Sequence, residues 1–316
     1  VVVDMKNKDD QTVLFPACKS ENIKLVKYLV SLPKLEVNVR DKKKMSLLHH
    51  ACKIGNLELV QYLVSLDKID INAKDADENN ILHYASQSGN LQLVEYIINL
   101  QKIDVADKNI NKTSVLHFGC ESGNLELVKY LLSLKRFNIK AKNINKKTCL
   151  HFACQTDSLH LVDYLARLKE IDVTAKDSND QTILQYACKY EAVKVAKYLI
   201  GLGKFNLLAK NKNKETLLHI ASKLGNYELV KYLIDLHQID VTAKDKDRKT
   251  ILHNACESGN IELVKYLIDL KQFDVKSKTS KQETLLHLAT RSKNFELLKY
   301  LIELNQIDVK AVNSRK

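Results

Sequence analysis

Residues 250–260 read TILHNACESGN. His253 and Cys256 stand three apart, a spacing that puts two side chains on one face of a helix, about 5–6 Å apart at Cβ. Both residue types ligate metals, and either can serve acid–base or nucleophilic chemistry. Whether the phrase is half of a zinc site, part of a catalytic pair or neither turns on how often it recurs. It occurs as TVLFPAC at 12, SLLHHAC at 46, NILHYAS at 80, SVLHFGC at 114, TCLHFAC at 148, TILQYAC at 182, TLLHIAS at 216, TILHNAC at 250 and TLLHLAT at 284. Every step is 34 residues with no insertion. A fixed period between roughly 20 and 50 marks a stacked repeat protein. That overrides the two domains that length alone implies at about 150 residues each. The expectation is one continuous all-helical solenoid over residues 1–316.

The unit at 216 runs TLLHIASKLGNYELVKYLIDLHQIDVTAKDKDRK. Thr216 can cap a first helix by accepting from an orphan N–H of its first turn. Leu217, Leu218 and Ala221 make that helix apolar on one face, and Gly225 supplies the left-handed conformation that reverses the chain. Tyr227 to Leu236 form a second helix, with Leu229, Val230, Leu233 and Ile234 at 3.6-residue spacing. The remaining segment alternates and then turns polar, as an extended arm with a tight turn does. One such pair cannot bury its apolar face alone, so its neighbours supply the other wall.

These residues resemble the ankyrin repeat, whose pattern is Thr-Pro-Leu-His-x-Ala, a Gly, a second helix and Asn-Ala-Lys-Asp. The resemblance covers nearly the whole chain and implies a helix pair with a β-turn arm in each unit. The family Pro is replaced by an aliphatic residue or Cys149, and the loop after the second helix is one residue longer. The Gly of the arm turn is replaced by charged or polar residues such as Lys44, Glu78, Lys112 and Arg248, so those turns are expected to differ in detail. Residues 1–11 align with the arm of a preceding repeat, and 306–316 are an arm with nothing following. With no initiator Met, the chain reads as a segment of a longer protein.

The opening question resolves against metal. His recurs at 49, 83, 117, 151, 219, 253 and 287 but is Phe15 and Gln185 elsewhere; Cys recurs at 18, 52, 120, 154, 188 and 256 but is Ser86, Ser222 and Thr290 elsewhere. A structural zinc needs four converging ligands, one unit offers two, and stacked helices lie about 8–10 Å apart. The resemblance implies that the His tethers neighbouring arm backbone and that the Cys fills a small core site. No cofactor is expected. The chain has no Gly-rich phosphate loop and no Gly-x-Ser-x-Gly turn. Its carboxylates recur as Glu–Lys pairs (126/129, 228/231, 262/265, 296/299), the mark of a solvated helix face. A Tyr ladder from 28 to 300 reads as inter-repeat packing. No enzyme activity is expected.

Seven Cys in a chain without a signal segment read as reduced thiols of a cytoplasmic protein. The resemblance implies a scaffold that binds another protein in a concave groove of arms and first helices. Matching positions late in the first helix include Lys53/Ile54, Lys189/Tyr190 and Lys223/Leu224. Those just before the caps include Met45, Gln181 and Glu215. Tyr190 and Leu224 stand out as apolar residues in consecutive units. A basic ladder, Arg40, Lys74, Lys108, Lys142, Lys176, Lys210, Lys244 and Lys278, joins a net charge of +12 to favour an acidic partner. Two alternatives are a spacer or elastic segment of a longer chain and a basic surface for anionic lipid or nucleic acid. The aromatic-plus-basic motif of a nucleic-acid module is absent.

Overall fold

The computed structural model describes residues 5–32 and 35–314; residues 1–4 and 315–316 of the two terminal arms lie outside the described residues. The chain divides after Ile171 into two compact units. Among the described residues the secondary structure is helical, with only isolated bridges besides. The first unit holds five helix pairs: α1 (Leu14–Lys19) and α2 (Ile23–Val30), α3 (Leu47–Ile54) and α4 (Leu57–Val64), α5 (Ile81–Ser88) and α6 (Leu91–Asn99), α7 (Val115–Glu121) and α8 (Leu125–Ser133), α9 (Cys149–Ala153) and α10 (Leu159–Arg167). The second holds four: α11 (Ile183–Lys189) and α12 (Val193–Gly201), α13 (Leu217–Lys223) and α14 (Tyr227–Asp235), α15 (Ile251–Ser258) and α16 (Ile261–Asp269), α17 (Leu285–Ser292) and α18 (Phe295–Glu303). Within each unit first helix stacks on first helix, α1 on α3 through to α9 and α11 on α13 through to α17.

Helices of five to nine residues are too short to persist alone in water, so burial holds them. Leu47, Leu48, Leu59, Val60 and Leu63 are fully or almost fully buried, and the same positions are buried in every later pair except for the half-buried Leu298 of the last. From α3 onward the first helices begin at a reciprocal cap: in the 216 unit the Thr216 hydroxyl accepts from the His219 N–H while His219 Nδ1 accepts from the Thr216 N–H. Most second helices begin at an Asn, α10 and α12 beginning instead at Ser158 and Ala192, and in four of them the Asn serves two repeats. Asn90 Oδ1 accepts from the Leu93 N–H at 3.0 Å, and its Nδ2 donates to the Gly55 carbonyl of the preceding repeat at 2.8 Å. Asn124, Asn260 and Asn294 make the same donation to Gly89, Gly225 and Gly259. Those glycines have φ between +71° and +85°, and a Cβ on any of them would meet the next repeat's Ser, 3.0–3.3 Å away.

The arm turns correct an expectation. Lys44, Glu78, Lys112 and Arg248 do not alter the turn; each adopts the left-handed conformation a Gly would take, at φ +58°, +61°, +56° and +60°. The hydrogen bonds explain it. Asp41, for example, accepts from the N–H of Lys43 and Met45 and closes the turn onto the Met45 carbonyl, which leaves one backbone geometry for Lys44. The fingertips are then laddered by one backbone bond per repeat: Ala76 N–H to Lys43 O, Ile110 to Asp77, Ile144 to Asn111, and in the second unit Lys212 to Asn179, Lys246 to Asn213 and Ser280 to Asp247. A left-handed non-glycine costs about 1 kcal/mol, partly offset by the greater backbone freedom that Gly loses on folding. Lys112→Gly should therefore stabilise by about 0.5 kcal/mol, and the combination of Lys44, Lys112, Lys146 and Lys214 to Gly by about 2 kcal/mol, since distant sites add. A rise in urea midpoint that scales with the number of substitutions is the expected result; a fall would show that the lysine side chains themselves support the turns.

Candidate functional site

The repeated His is consumed by the framework. Each ring sits behind its own helix cap with Nδ1 facing backbone N–H, and so carries its proton on Nε2. Nε2 of His49 donates to the Asn79 carbonyl (3.0 Å), His117 to Ala141 (3.2 Å), His219 to Lys249 (3.1 Å) and His253 to Ser277 (3.2 Å), tying each first helix to the next arm. Gln185 copies this: its Oε1 accepts from the Thr182 N–H and its Nε2 donates to the Ala209 and Glu215 carbonyls. Burial holds the His83, His117 and His253 pKa values down at about 4 and pushes those of His49 and His219 in the same direction. In His49, His117, His219 and His253 both nitrogens are engaged, which leaves these rings no lone pair for a metal.

The cysteines are all buried. Burial raises the thiol of Cys18 and of Cys188 to about 12 and those of Cys52 and Cys256 further, so they behave as small apolar side chains, not nucleophiles. At 117/120 and 151/154, where adjacent repeats carry both residues, Cys120 is paired with the Cys149 thiol. Among the described residues no cluster of His, Cys, Asp and Glu could hold a metal ion, and no helix is long and apolar enough to cross a membrane.

The Tyr ladder lies between repeats, with a lysine of the preceding repeat over the ring: Lys27 over Tyr62 at 5.3 Å, Lys129 over Tyr164 at 5.9 Å, Lys197 over Tyr232 at 5.2 Å and Lys265 over Tyr300 at 5.3 Å. The Glu–Lys pairing holds for Glu126 and Lys129 at 2.8 Å. Glu228 instead bonds Lys197 of the preceding repeat, and Lys299 turns to Glu303.

In four repeats the two sets of variable positions meet. The residue before the cap meets the residue eight further on, late in the same first helix: Gln11 with Lys19, Glu215 with Lys223, Lys249 with Glu257, and Glu283 with Arg291. Arg291 also reaches Glu257 of the preceding repeat at 3.4 Å. Sign-swapped charges at a spacing of eight were visible in the sequence, but only an arm folded back over its helix gives that spacing meaning.

The individual candidates are placed as follows. Lys53 is exposed and lies 5.9 Å from the Tyr84 ring centre, and Ile54 is half-buried beside it. Met45 is only 5% exposed and packs inside its arm, so it offers the groove no side chain. Gln181 and Glu215 are half-buried, and Glu215 also accepts from Asn211 at 2.7 Å. Tyr190 is 40% exposed and stacks on Tyr186 with ring centres 5.9 Å apart, with Lys189 over both rings. Leu224 is 41% exposed at the equivalent end of α13. In the basic ladder, Arg40 donates to the Lys74 carbonyl and pairs with Asp70, and Lys74 pairs with Asp107 at 2.7 Å. Lys108, Lys142, Lys176, Lys210, Lys244 and Lys278 are exposed.

The comparison with family models agrees with this geometry. A model described as ankyrin repeats in three copies matches residues 2–75, 82–177, 116–209, 150–245 and 218–313, and a second ankyrin-repeat model matches 55–98. No curated protein matches the chain at a significant level.

Proposed function

Because the chain belongs to the ankyrin-repeat family, whose members are generally protein–protein interaction modules, we propose that it is a non-catalytic scaffold that holds a partner protein in the groove between its arms and first helices. The observation that carries this reading is the division of labour among its polar residues. The repeated His, Asn and Thr are spent on bonds within and between repeats, and the buried thiols are unreactive. The residues that differ from repeat to repeat include exposed ones late in the first helices, such as Lys53, Tyr190 and Leu224. The exposed ladder lysines from Lys108 to Lys278 favour an acidic partner by long-range attraction.

Within the second unit, Tyr190 and Leu224 end consecutive first helices whose axes lie about 8–10 Å apart. Each is preceded by a lysine. An apolar pair edged by positive charge suits a partner's anchor residue, and Tyr is enriched at such positions. Tyr190→Ser with Leu224→Ser should weaken capture of a partner isolated by pull-down about thirtyfold or more, the effect of losing roughly 2 kcal/mol at a hot spot. Unchanged affinity with the fold intact removes this patch from the interface; lost stability with unchanged affinity assigns Tyr190 to packing on Tyr186.

A further inference from the structure

Inside the first unit, the arms around 77, 111 and 145 and the first helices α5, α7 and α9 enclose an open cavity of about 350 Å³. Its floor is a row of rings, Tyr84, Phe118 and Phe152, one per repeat. Each is held edge-on by the His of the repeat before, with centres 5.6, 5.5 and 5.2 Å apart for His49, His83 and His117. The row belongs to this unit: the matching positions of the second unit are a buried Tyr186, then Ile220, Asn254 and Leu288.

The walls are mainly carboxamides of two kinds, joined by the charged Asp77 and Lys147. Asn79, Asn109 and Asn143 are buried and occupied, Asn109 Nδ2 donating to Asn79 Oδ1 at 2.9 Å and Asn143 Nδ2 to Thr113 Oγ1 at 3.3 Å, with their oxygens taken by turn N–H groups. Asn111 and Asn145, at the fingertips, are exposed. A carboxamide offers both donor and acceptor, the complement of a peptide main chain. The remaining fingertip of the cavity is the charged Asp77, and the equivalents elsewhere include Lys43, Asp247 and Lys281. One end of the cavity is closed by the exposed Lys53, beside the Tyr84 ring.

We propose that this cavity takes an extended segment of a partner protein, whose apolar side chains rest on Phe118 and its neighbouring rings, whose main chain bonds Asn111 and Asn145, and whose acidic residue meets Lys53. Three rings at about 8–10 Å per repeat span about 18 Å. At about 3.3 Å per residue that is five or six residues of extended chain, with an apolar side chain every two to three. The inference rests on the scaffold reading and names the partner's local chemistry.

The test is a phage-displayed library of random dodecapeptides selected on the full chain, with the enriched peptides then titrated against wild type, Phe118→Ser and Lys53→Glu. The expected consensus is an apolar core with Asp or Glu at one end, binding at least about tenfold more weakly to each variant. Lys53 is exposed, so Lys53→Glu keeps its thermal transition and reads binding alone even if Phe118→Ser loosens the repeat. Enriched peptides that bind both variants as they bind wild type, or whose consensus lacks the acid, overturn this inference and leave the scaffold reading standing. Failure to enrich any peptide overturns both.

Discussion

Lowering the pH from 7 to 5 should remove about 2 kcal/mol of stability for each of His83, His117 and His253, about 6 kcal/mol in all. In the fold these rings are neutral, with pKa values near 4 set chiefly by burial. In the unfolded chain they return to about 6.5. Between the two values the unfolded state binds more protons, so stability falls as pH falls. The loss begins near pH 6.5, is complete near pH 4 and is absent at pH 7 and above. Protonation also puts an N–H on Nδ1, where the backbone N–H of Ser114 or Thr250 already points, at 3.3 and 3.2 Å. Urea midpoints at pH 7, 6 and 5 measure the effect. His117→Gln should flatten the dependence by one group, because Gln185 does the same work without titrating. A midpoint that does not move between pH 7 and 5 sinks the argument.

His219→Ala should destabilise the second unit by about 3 kcal/mol, the sum of a cavity and two orphaned polar partners. The ring is fully buried, and its removal strips the Lys249 carbonyl and the Thr216 cap together. His219→Gln should lose only about 1 kcal/mol, because an amide bridges both partners, as Gln185 does in its own repeat. Stability in a stacked array is close to a sum over neighbours, so the loss should localise. Amide exchange in α13 and α15 should quicken while α3 and α5 keep their protection. Equal losses for Ala and Gln would mean that packing volume, not the hydrogen-bonded tether, holds one repeat to the next.

How far the site could be read in advance varied with the kind of residue. Thr216 and Gly225 were legible because each answers a local backbone demand, an orphan N–H and a positive φ, whereas the tether made by His219 to a carbonyl thirty residues on was implied only by the resemblance to ankyrin repeats. Lys44 and Lys112 misled for the same reason in reverse. Their type argues against a left-handed turn, and only the carbonyl and carboxylate bonds around Asp41 and Asn109 show that the turn is imposed on them. Met45 read as a groove residue by position, yet its side chain turns inward. Tyr84, Phe118 and Phe152 went unremarked as a site because the x of a His-x-Ala phrase carries no pattern within one repeat.

The amino-acid sequence by itself determined the period of 34, the helix pair, the cap and the reversal. All of these are short-range demands of backbone and burial, repeated often enough to be unmistakable. Tertiary structure alone decided which exposed residues share a surface. Glu215 finds Lys223 across eight residues because the arm folds back over its own helix, and Phe118 lines up with Tyr84 and Phe152 because stacking carries one repeat onto the next. Such neighbours are set by how the units pack together, and no local stretch of the chain encodes that packing.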